Sequence, residues 1–405
     1  MTTPLDGQKF FTTLLDQETT EKETQMATTA KKLKVGVIGA ARGGGYISAI
    51  RSASDRVILQ GVYDPLPEVA KAFVSETGAQ EEFPNFEAAV EACDALIISS
   101  PQQHHAPQAA HALLSGVHVL SEVPAAVSME QVHQLLAAAR NSDATYMIAE
   151  NYCYTRNNLI INAMAHQGVF GNIYHGEAEY VHEMKTWHRK QNGDPTWRYY
   201  WQVGKNGITY PTHSLGPLLQ WTEDRIDTIS CVGTGRWTDP EHEIDDSVTL
   251  LAKTRNGALF RMRLDLLSNR PELWDYYAIQ GTLGAYEAAR SNLDTSKIYI
   301  EGVSKKETWE PLESFADRFL PKRYLNPPPG SGHWGSDAWP FLEFLESVEK
   351  NSKPPLDVYR ALDMSLPGIV SEESIAQNGA WLRVPDPRTL TSGIGLNPGR
   401  ETPLA

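Results

Sequence analysis

The stretch Leu33-Lys34-Val35-Gly36-Val37-Ile38 is followed at once by Gly39-Ala40-Ala41-Arg42-Gly43-Gly44-Gly45, and a helical pattern then covers residues 46–51. A short β-branched strand, a glycine-rich turn and a helix in this order are the setting of a dinucleotide-binding turn. Glycines let the main chain approach a pyrophosphate, and the start of the helix offers free N–H groups. Ala41 occupies the second glycine position of this fingerprint. Taken alone, the turn fits a purely structural connection equally well.

A second strand pattern over residues 57–63 ends at Asp64. A carboxylate at this point can accept hydrogen bonds from both ribose hydroxyls of an adenosine. The following Pro65 and Leu66 provide no arginine for a 2′-phosphate, so we predict that the cofactor is NAD rather than NADP. The alternative interpretation is that Asp64 is a turn or capping residue before the helical pattern at 68–77.

Strand and helix patterns continue to alternate through residue 149. The further strand patterns cover 95–99, 117–120 and 144–149, and the helical patterns cover 108–114 and 129–140. Such repetition predicts a parallel, doubly wound sheet, which binds its ligands beyond the carboxyl ends of the strands. We therefore expect one cleft to be lined by the polar groups that follow those ends, Gln102-Gln103-His104-His105, Glu122 and Asn151.

The pattern changes from residue 156 onward. A helical pattern at 156–167 leads into alternating segments separated by turn residues, which are typical of an antiparallel sheet. The segments cover 173–184, 228–234, 247–254, 258–267 and 276–280, and helical patterns follow at 338–350 and 356–377. The aromatic-rich loop at 185–206 is expected to be a lid over the site or a subunit contact. Its Trp and Tyr faces also suit stacking against sugar rings.

The predicted fold class is α/β plus α+β, with an N-terminal Rossmann-type doubly wound parallel sheet followed by an open, mainly antiparallel sheet that has helices on one face. We predict a mobile N-terminal tail or arm at 1–32 and an NAD-binding domain at 33–155. A substrate and oligomerisation domain with returning C-terminal helices follows at 156–385, and a C-terminal tail at 386–405. The exposed face of an open sheet usually needs covering, which predicts a homodimer or homotetramer.

The charge and the apolar content of the sequence bear on which classes of binding partner are expected. The 405 residues include 36 Lys and Arg against 50 Asp and Glu, which gives a net charge of −14. An acidic surface repels phosphate backbones and anionic lipids, and no apolar run approaches the ~18 residues of a membrane span. We therefore expect no nucleic-acid and no membrane partner. The three cysteines, Cys93, Cys153 and Cys231, are far apart and odd in number, so we expect buried thiols in a reducing, cytoplasmic setting.

Four motifs together carry a resemblance to a known family. They are the G-x-x-R-G of Gly39 to Gly43, Asp64 after the second strand, residues 101–107 between two prolines, and Glu122-Val123-Pro124. In this order they resemble the Gfo/Idh/MocA oxidoreductases over residues 32–383. The resemblance implies a Rossmann domain followed by an open antiparallel sheet that carries the substrate.

The chain departs from most dehydrogenases of that family at two positions. Val123 stands where they have a lysine that donates and accepts a proton near the nicotinamide, and Thr209 stands where many have an aspartate four residues before a catalytic histidine. Valine and threonine cannot take over that proton transfer. The ordinary alcohol dehydrogenase mechanism is therefore not the expected one.

A narrower resemblance is to the branch that includes the NAD-dependent α-N-acetylgalactosaminidases, in which E-V-P is the normal form. The motifs that carry it are Glu122-Val123-Pro124-Ala125, Glu150-Asn151-Tyr152-Cys153-Tyr154, Gly168-Val169-Phe170-Gly171, Tyr210-Pro211-Thr212-His213 and Asp357-Val358-Tyr359. In place of the Trp and Glu that those glycosidases have after the third strand, this chain has Gln102 to His104. A further tyrosine of the glycosidase site, expected near Tyr276, does not align.

The glycine turn and the resemblance together imply a set of site residues. NAD contacts are expected from Gly39, Arg42, Gly43, Asp64, Gln102, Gln103, His104, His105, Glu122, Val123 and Asn151. Contacts with a sugar or glycoside are expected from Tyr180, Arg198, Tyr210, Pro211, Thr212 and His213. His213, Tyr210 and Tyr180 are the expected catalytic residues.

Each catalytic assignment has a plainer alternative. His213 can move a hydroxyl proton near neutral pH, or it can simply cap a helix. Tyr180 and Tyr210 can position or deprotonate a sugar, or they can be core or rim residues. Arg198 can clamp a polar substituent, or it can form a surface ion pair.

Metal binding is not expected, because the histidines and the glutamate at 175, 177, 182 and 188 alternate along a strand and its following loop, and alternate residues of a strand face opposite sides.

Three functional hypotheses follow. The first is an NAD-dependent oxidoreductase that transfers hydride between a pyranose or polyol carbon and nicotinamide. The second is a glycoside hydrolase that recycles NAD by oxidation at C3, elimination, water addition and re-reduction, without the usual pair of carboxylates. The third is a redox-inactive NAD-binding sensor.

Overall fold

A computed structural model describes residues 31–239 and 244–391. The predicted N-terminal tail lies outside the described residues except for residues 31 and 32. Most of the predicted C-terminal tail also lies outside them. Its first residues, 386–391, form a turn that packs on the body, because Arg388 binds Asp363 at 2.8 Å and Arg140 donates to the carbonyl oxygens of Pro387 and Leu390.

The N-terminal half contains a parallel sheet of six strands in the order β3-β2-β1-β4-β5-β6. Its strands are β1 (Leu33–Ile38), β2 (Val57–Tyr63), β3 (Glu81–Glu82), β4 (Ala95–Ile98), β5 (His118–Ser121) and β6 (Tyr146–Ile148). The predicted doubly wound sheet is confirmed, with one strand more than the sequence pattern indicated. The additional strand, β3, has only two residues, both exposed and charged, so it has no apolar pattern to reveal it.

Helices connect these strands and cover the sheet. They are α1 (Ala40–Gly43), α2 (Ile47–Ser52), α3 (Pro67–Thr77), α4 (Phe86–Ala92), α5 (His105–Leu114) and α6 (Met129–Arg140). The first helical turn begins inside the glycine-rich run rather than at Tyr46, and α4 was not predicted. Ser128 caps α6 as expected, since its hydroxyl accepts a hydrogen bond from the Gln131 amide.

The strand order reverses between β1 and β4. The chain runs outward from β1 to β2 and β3, and then returns to place β4 on the other side of β1. A crevice opens at such a switch point, beyond the carboxyl ends of the strands. Gly39 follows β1 and Ser99 follows β4, so the glycine-rich turn lies at this crevice.

The second half contains a nine-stranded sheet in the order β14-β13-β12-β11-β7-β10-β9-β8-β15. Its strands are β7 (Ile173–Val181), β8 (Ile226–Gly233), β9 (Ser247–Thr254), β10 (Leu259–Asp265), β11 (Leu273–Gly281), β12 (Gly284–Glu287), β13 (Lys297–Ile300), β14 (Glu310–Pro311) and β15 (Leu382–Arg383). Only the neighbours β7 and β10 run parallel, and the other pairs are antiparallel. The predicted mainly antiparallel sheet is confirmed.

One face of this sheet packs against helices. The helices of the second half are α7 (Arg156–His166), α8 (Lys185–His188), α9 (Trp197–Trp201), α10 (Thr212–Thr222), α11 (Ala316–Phe319), α12 (Ala338–Glu349) and α13 (Val358–Ala376). At Gly176 of β7, an added Cβ would lie 3.2 Å from Leu218 of α10, so even-numbered positions of β7 face the helices. The predicted return of the last two helices is confirmed, since α12 contacts α2 and α13 contacts β8 and β6.

The aromatic-rich loop at 185–206 contains the two short helices α8 and α9. The three cysteines are free and buried, as predicted. Among the described residues, no helix is both long enough and apolar enough to cross a membrane.

Candidate active site

The glycine-rich turn is shaped by close approaches of the chain. Gly39 has a φ of 89°, and a Cβ there would lie 2.6 Å from the Ser99 carbonyl oxygen. A Cβ at Gly43 would lie 2.2 Å from Cγ1 of Val37, so this position requires glycine for the helix to pack on β1. Ala41 is exposed at the surface of the turn. Gly39 thus provides the tight turn, and Gly43, one residue before the third glycine position at Gly44, provides the close packing of helix on strand that a dinucleotide turn requires.

Asp64 ties the end of β2 to this turn. Its Oδ2 accepts a hydrogen bond from the Ala40 amide at 3.0 Å, and its Oδ1 accepts one from the Leu66 amide at 3.0 Å. Leu66 is the N-cap of α3, so Asp64 is a turn residue and not the helix cap. Each carboxylate oxygen can accept a further hydrogen bond, which leaves capacity for ribose hydroxyls.

Arg42 occupies the centre of a charged network at the mouth of the crevice. Its Nε donates to Glu122 Oε1 at 2.6 Å, and its Nη1 donates to Asp337 Oδ2 at 2.9 Å. The buried Tyr46 hydroxyl donates to the same Glu122 oxygen at 2.5 Å. Glu122 and Val123 are both buried, and the Glu122 carboxylate is fixed by Arg42 of α1 and by Tyr46 of the 3-10 turn that follows it.

The Asp337 carboxylate accepts hydrogen bonds from three side chains in separate parts of the chain. Besides Arg42, it accepts hydrogen bonds from Asn151 Nδ2 at 2.7 Å and from His333 Nδ1 at 2.9 Å. Burial alone raises the pKa of Asp337, but the hydrogen bonds from His333 and Arg42 outweigh it and hold that pKa well below the usual range. Asp337 therefore remains a carboxylate and joins the two halves of the molecule.

In the segment after β4, the side chains of Gln102 and His105 hydrogen-bond to main-chain carbonyl oxygens of neighbouring loops. Gln102 is buried, and its Nε2 donates to the Trp201 carbonyl oxygen at 2.7 Å. Both ring nitrogens of His105 meet main-chain carbonyl oxygens, Nδ1 that of Pro124 and Nε2 that of Ser100. His105 thus fixes the two loops beside the crevice, and its assignment as a cofactor contact stays a prediction. His104 lies within 3.3 Å of the Gln103 amide.

The residues at the crevice fit a pyridine dinucleotide. The amide oxygens of Gln102 and Gln103 are buried and have no hydrogen-bond partner among the described residues, so donors of a bound group can satisfy them. The glycine turn has the required shape, and Asp64 stands at the ribose position. Among the described residues, Asp64 has no arginine partner, which agrees with the prediction of NAD.

The floor of the neighbouring cleft is formed by His213 and Glu150, which we call the floor pair. His213 lies in the first turn of α10, and its Nδ1 is 2.7 Å from Glu150 Oε1. Glu150 is fully buried and also accepts a hydrogen bond from the Tyr152 amide. A carboxylate at Nδ1 fixes the proton on that nitrogen, which leaves Nε2 as the nitrogen available for proton transfer.

Three tyrosines surround the floor pair. The ring of Tyr152 stacks on His213 with centroids 4.1 Å apart, Tyr210 meets it edge-on at 4.8 Å, and Tyr180 lies 5.2 Å away. Burial raises the pKa of Tyr180 and of Tyr210. The hydroxyls therefore keep their protons and act as hydrogen-bond donors, so the structure favours positioning over deprotonation for both tyrosines.

Arg198 reaches this cleft from α9. Its guanidinium lies over the rings of Trp197 and Trp187, 4.4 and 5.3 Å from their centroids, and donates to Gln202. These contacts are with rings and an amide and not with a carboxylate, unlike those of a surface ion pair. Burial lowers the pKa of Arg198. Pro211 and Thr212 are buried beside His213, and the Thr212 hydroxyl has no partner among the described residues.

Metal ligation was tested with the same geometry. Within residues 31–239 and 244–391, no group of three or more His, Cys, Asp or Glu side chains could hold a metal ion. His182 instead bonds Glu272, with Nδ1 2.9 Å from Oε2.

Sequence reasoning missed three residues of the cleft. Glu150 and Tyr152 stand within a motif that was quoted, but no role was assigned to them. Asp337 was not singled out, although Gly332-His333-Trp334-Gly335-Ser336-Asp337 is dense in glycine and polar groups after a proline-rich connector. A histidine and an aspartate four residues apart were the available signal.

Comparison with known families assigns both halves of the chain. Residues 33–150 match the model described as "Oxidoreductase family, NAD-binding Rossmann fold". Residues 154–234 and 230–392 match "Glycosyl hydrolase 109, C-terminal domain". The N-terminal half is therefore an NAD-binding Rossmann domain, and the resemblance drawn from the motifs is confirmed.

Individual relatives agree with these models. A glycosyl hydrolase family 109 protein of Shewanella pealeana is 31% identical over 333 residues, covering 72% of this chain and 69% of the relative. One of Streptomyces filamentosus is 28% identical over 393 residues, covering 87% of this chain and 77% of the relative.

Among solved structures, levoglucosan dehydrogenase in complex with NADH superposes with a TM-score of 0.75 at 17% identity, covering 88% of this chain and all of that one. Scyllo-inositol dehydrogenase of Lactobacillus casei gives 0.66 at 18%, covering 88% and 99%. At these identities, the two structures support the fold alone.

Proposed function

The chain belongs to glycosyl hydrolase family 109, and from this premise we propose that it is an NAD-dependent glycoside hydrolase that oxidises and re-reduces its sugar within each turnover. The observation that carries the proposal is the floor pair, a histidine oriented by a fully buried carboxylate beside the NAD-binding domain. It provides a proton-transfer group where Val123 replaces the usual lysine.

The cofactor would be held by the glycine turn, Asp64 and the polar groups after β4, β5 and β6. The chemistry that bound NAD supplies is the reversible removal of hydride from C3 of the sugar, which acidifies the C2 proton and lets the C1 substituent leave before water adds and hydride returns. The crevice aligns the sugar with the cofactor, and such alignment contributes much of the acceleration in two-substrate reactions.

His213 Nε2 accepts the proton of the hydroxyl that is oxidised and returns it at the end of the cycle. Glu150 holds the Nδ1 proton and stabilises the imidazolium that forms, because it is fully buried and lies only 2.7 Å away. Tyr152 and Tyr210 pack on two sides of the ring, so the imidazole keeps one orientation throughout the cycle.

Sugar binding in this proposal uses the donors around the floor pair. Tyr180 and Tyr210 keep their hydroxyl protons because of their raised pKa values, and they donate to ring substituents. Arg198 presents a planar set of N–H donors between two indole rings. The substrate class is a pyranoside, and α-N-acetylgalactosaminides are the first candidates because of the branch motifs.

An NAD-dependent sugar or polyol oxidoreductase is the second candidate. The floor pair favours it equally, since the first half of the proposed cycle is the oxidation of a hydroxyl carbon. A redox-inactive NAD-binding sensor is less consistent with a histidine that keeps a buried carboxylate partner.

One assay separates these candidates. The purified protein is incubated with a panel of glycosides in D₂O without added NAD. We expect aglycone release, deuterium at C2 of the released sugar and no net NADH. Stoichiometric NADH with an intact glycosidic bond would replace the proposal with the oxidoreductase, and tight NAD binding without either product would favour the sensor.

We further propose that the chain acts as a homodimer or homotetramer in the cytoplasm. The face of the second sheet turned away from α10 supports assembly, because Glu179 is buried there against the partly exposed Arg261 and within 4 Å of Arg263. A second subunit packed on that face would bury the existing ion pairs of Glu179 with Arg261 and Arg263. The three buried free thiols agree with a reducing compartment. Light scattering of the full chain tests the assembly.

A further inference from the structure

A line of aromatic rings leads from the floor pair to the surface. Tyr180 and His182 are two residues apart at the end of β7, and their rings meet edge-on with centroids 5.9 Å apart. Beyond them, the ring of Trp274 lies 4.9 Å from His182, and that of Trp334 lies 6.0 Å from Trp274. The line of ring contacts therefore runs from the buried Tyr180, next to the floor pair, to the exposed Trp334.

Three tryptophans and one histidine form the outer end, which we call the rim cluster: His182, Trp187, Trp274 and Trp334. Trp334 is 67% exposed and Trp187 is 56% exposed. The His182 ring contacts both Trp187, at a centroid distance of 6.5 Å, and Trp274, at 4.9 Å, and Trp274 in turn contacts Trp334. Exposed indoles that adjoin a polar cleft expose both flat apolar faces and N–H donors.

Polar groups accompany these rings. Glu272 Oε2 accepts hydrogen bonds from His182 Nδ1 at 2.9 Å and from Trp274 Nε1 at 2.6 Å. Because this carboxylate is partly exposed, it retains capacity for a hydroxyl donor. A flat apolar face beside a carboxylate matches a pyranose ring, which has an apolar face and a belt of hydroxyl groups.

The backbone at Trp334 is held in an unusual conformation. His333 and Trp334 have φ values of 47° and 56°, a left-handed region that bulky residues rarely adopt. The turn is fixed by the His333–Asp337 contact, and at Gly335 a Cβ would lie 2.4 Å from Pro327. Strain of this kind persists only where the surroundings enforce it, and it concentrates at functional sites.

We propose that the rim cluster is a subsite for the sugar unit on the leaving-group side of the scissile bond, so that the preferred substrate is an oligosaccharide rather than a simple glycoside. This inference rests on the proposed glycoside chemistry and names the substrate class of the same cleft. Continuity selects the occupant, because ring contacts run without a break from His213 to Trp334, and a group attached to a sugar at the buried floor pair must extend toward the surface.

The test compares two variants at one position. Trp334→Gly suits the positive φ and removes the ring, whereas Trp334→Phe keeps an aromatic face. Trp237, which is 81% exposed and is not part of the cleft, provides the control variant Trp237→Ala. The substrates are methyl α-N-acetylgalactosaminide and N-acetylgalactosaminyl-α-1,3-galactose.

We expect Trp334→Gly to lower kcat/KM for the disaccharide about fivefold to tenfold more than for the methyl glycoside, because one stacking contact is lost. Trp334→Phe should recover most of that ratio, and Trp237→Ala should not change it. Equal effects on both substrates would overturn the subsite while leaving the proposed hydrolase intact.

A binding measurement separates this inference from the proposed function. Methyl galactoside, methyl glucoside and methyl N-acetylglucosaminide are added to the NAD-loaded full chain, and saturation-transfer NMR detects binding without turnover. We expect signals that Trp334→Gly reduces at least threefold and Trp237→Ala leaves unchanged. If no glycoside is cleaved but these signals persist, the sugar subsite stands and the hydrolase fails. If Trp334→Gly instead dissociates an oligomer in light scattering, the rim cluster is a subunit contact and the inference is wrong.

Discussion

Two of the histidine–carboxylate pairs at the cleft have similar distances and different surroundings. In the floor pair, the nitrogen and oxygen are 2.7 Å apart, and the side chains are 8% and 0% exposed. In the pair at the rim, His182 and Glu272, they are 2.9 Å apart, and the side chains are 15% and 41% exposed. The two pairs share chemistry and geometry, so the burial of the carboxylate is the main difference.

Because of this difference in burial, the same histidine–carboxylate contact has different consequences at the floor and at the rim. A carboxylate without water has few alternative partners, so the floor pair fixes the tautomer and the orientation of His213. A partly hydrated carboxylate exchanges partners readily, and the contact stabilises little on its own. The rim pair is therefore suited to adapt to a variable ligand, and the floor pair to proton transfer.

The largest expected effect is on kcat when His213 of the floor pair is replaced. His213→Ala should lower kcat by about 10³-fold, because it removes the proton-transfer group, while NAD affinity changes less than twofold. Turnover is measured by aglycone release and NAD affinity by calorimetry. His166, paired with Glu223 on the surface, supplies the matched control His166→Ala, which should retain full activity. Unchanged turnover in His213→Ala would remove His213 from the mechanism.

Glu150→Gln should lower kcat by about 100-fold with a smaller change in KM. The amide of glutamine can donate to Nδ1, which would move the histidine proton to Nε2 and block proton acceptance there. The pH profile of kcat provides the check, since a merely structural role would lower kcat without altering the profile. A wild-type profile in this variant would contradict the positioning role.

Asp337→Asn concerns a third pair, in which a buried carboxylate contacts the partly exposed His333. We expect a loss of about 2 kcal/mol in the free energy of unfolding, less than for a fully buried pair because Arg42 is partly exposed. Urea unfolding measures it.

The pH dependence of the same variant has a definite sign. The folded-state pKa of Asp337 is depressed, so its contribution is complete above the ordinary aspartate pKa of about 3.9 and is lost as pH falls toward the folded value. The variant should therefore lose less stability than the wild type between about pH 4 and pH 3. Parallel curves would show that Asp337 is not held as a carboxylate.

The smallest effect is expected at the rim. Glu272→Gln should change the stability by about 0.5 kcal/mol, since half-exposed ion pairs contribute little. Burial lowers the pKa of His182, and the Glu272 charge raises it, so this variant should lower the His182 pKa further. Histidine NMR titration measures the shift. An unchanged His182 pKa would mean that another carboxylate, such as Glu183, controls His182.

The parallel sheet was largely predictable because each strand carries its own signal. Buried runs such as Ala95–Ile98 are continuously apolar, and Ser128 caps the helix that directly follows it. The strand Glu81–Glu82 escaped prediction because its pairing depends on the neighbouring β2 and not on its own composition. The strands at the edge of the second sheet, such as Lys297–Ile300, were missed because they have only two to four residues, which is too short for a clear alternating pattern.

The cleft was predictable only where a motif carries its own chemistry. His213 and Tyr180 could be named as candidates from their residue types and motifs. The bond between His213 and Glu150 joins residues 63 positions apart, and the contact of Arg42 with Asp337 spans 295 positions. No local pattern encodes such distances, so these partners became visible only in three dimensions.

One short turn, residues 150–154, contributes to both halves of the molecule. Its glutamate binds His213, its asparagine binds Asp337, and Tyr152 stacks on the His213 ring. A chimera built from such proteins would need its junction before residue 150, so that the turn stays together with the second half. A junction after residue 154 would exchange Glu150 and Tyr152 together with the NAD-binding domain and would break their contacts with His213.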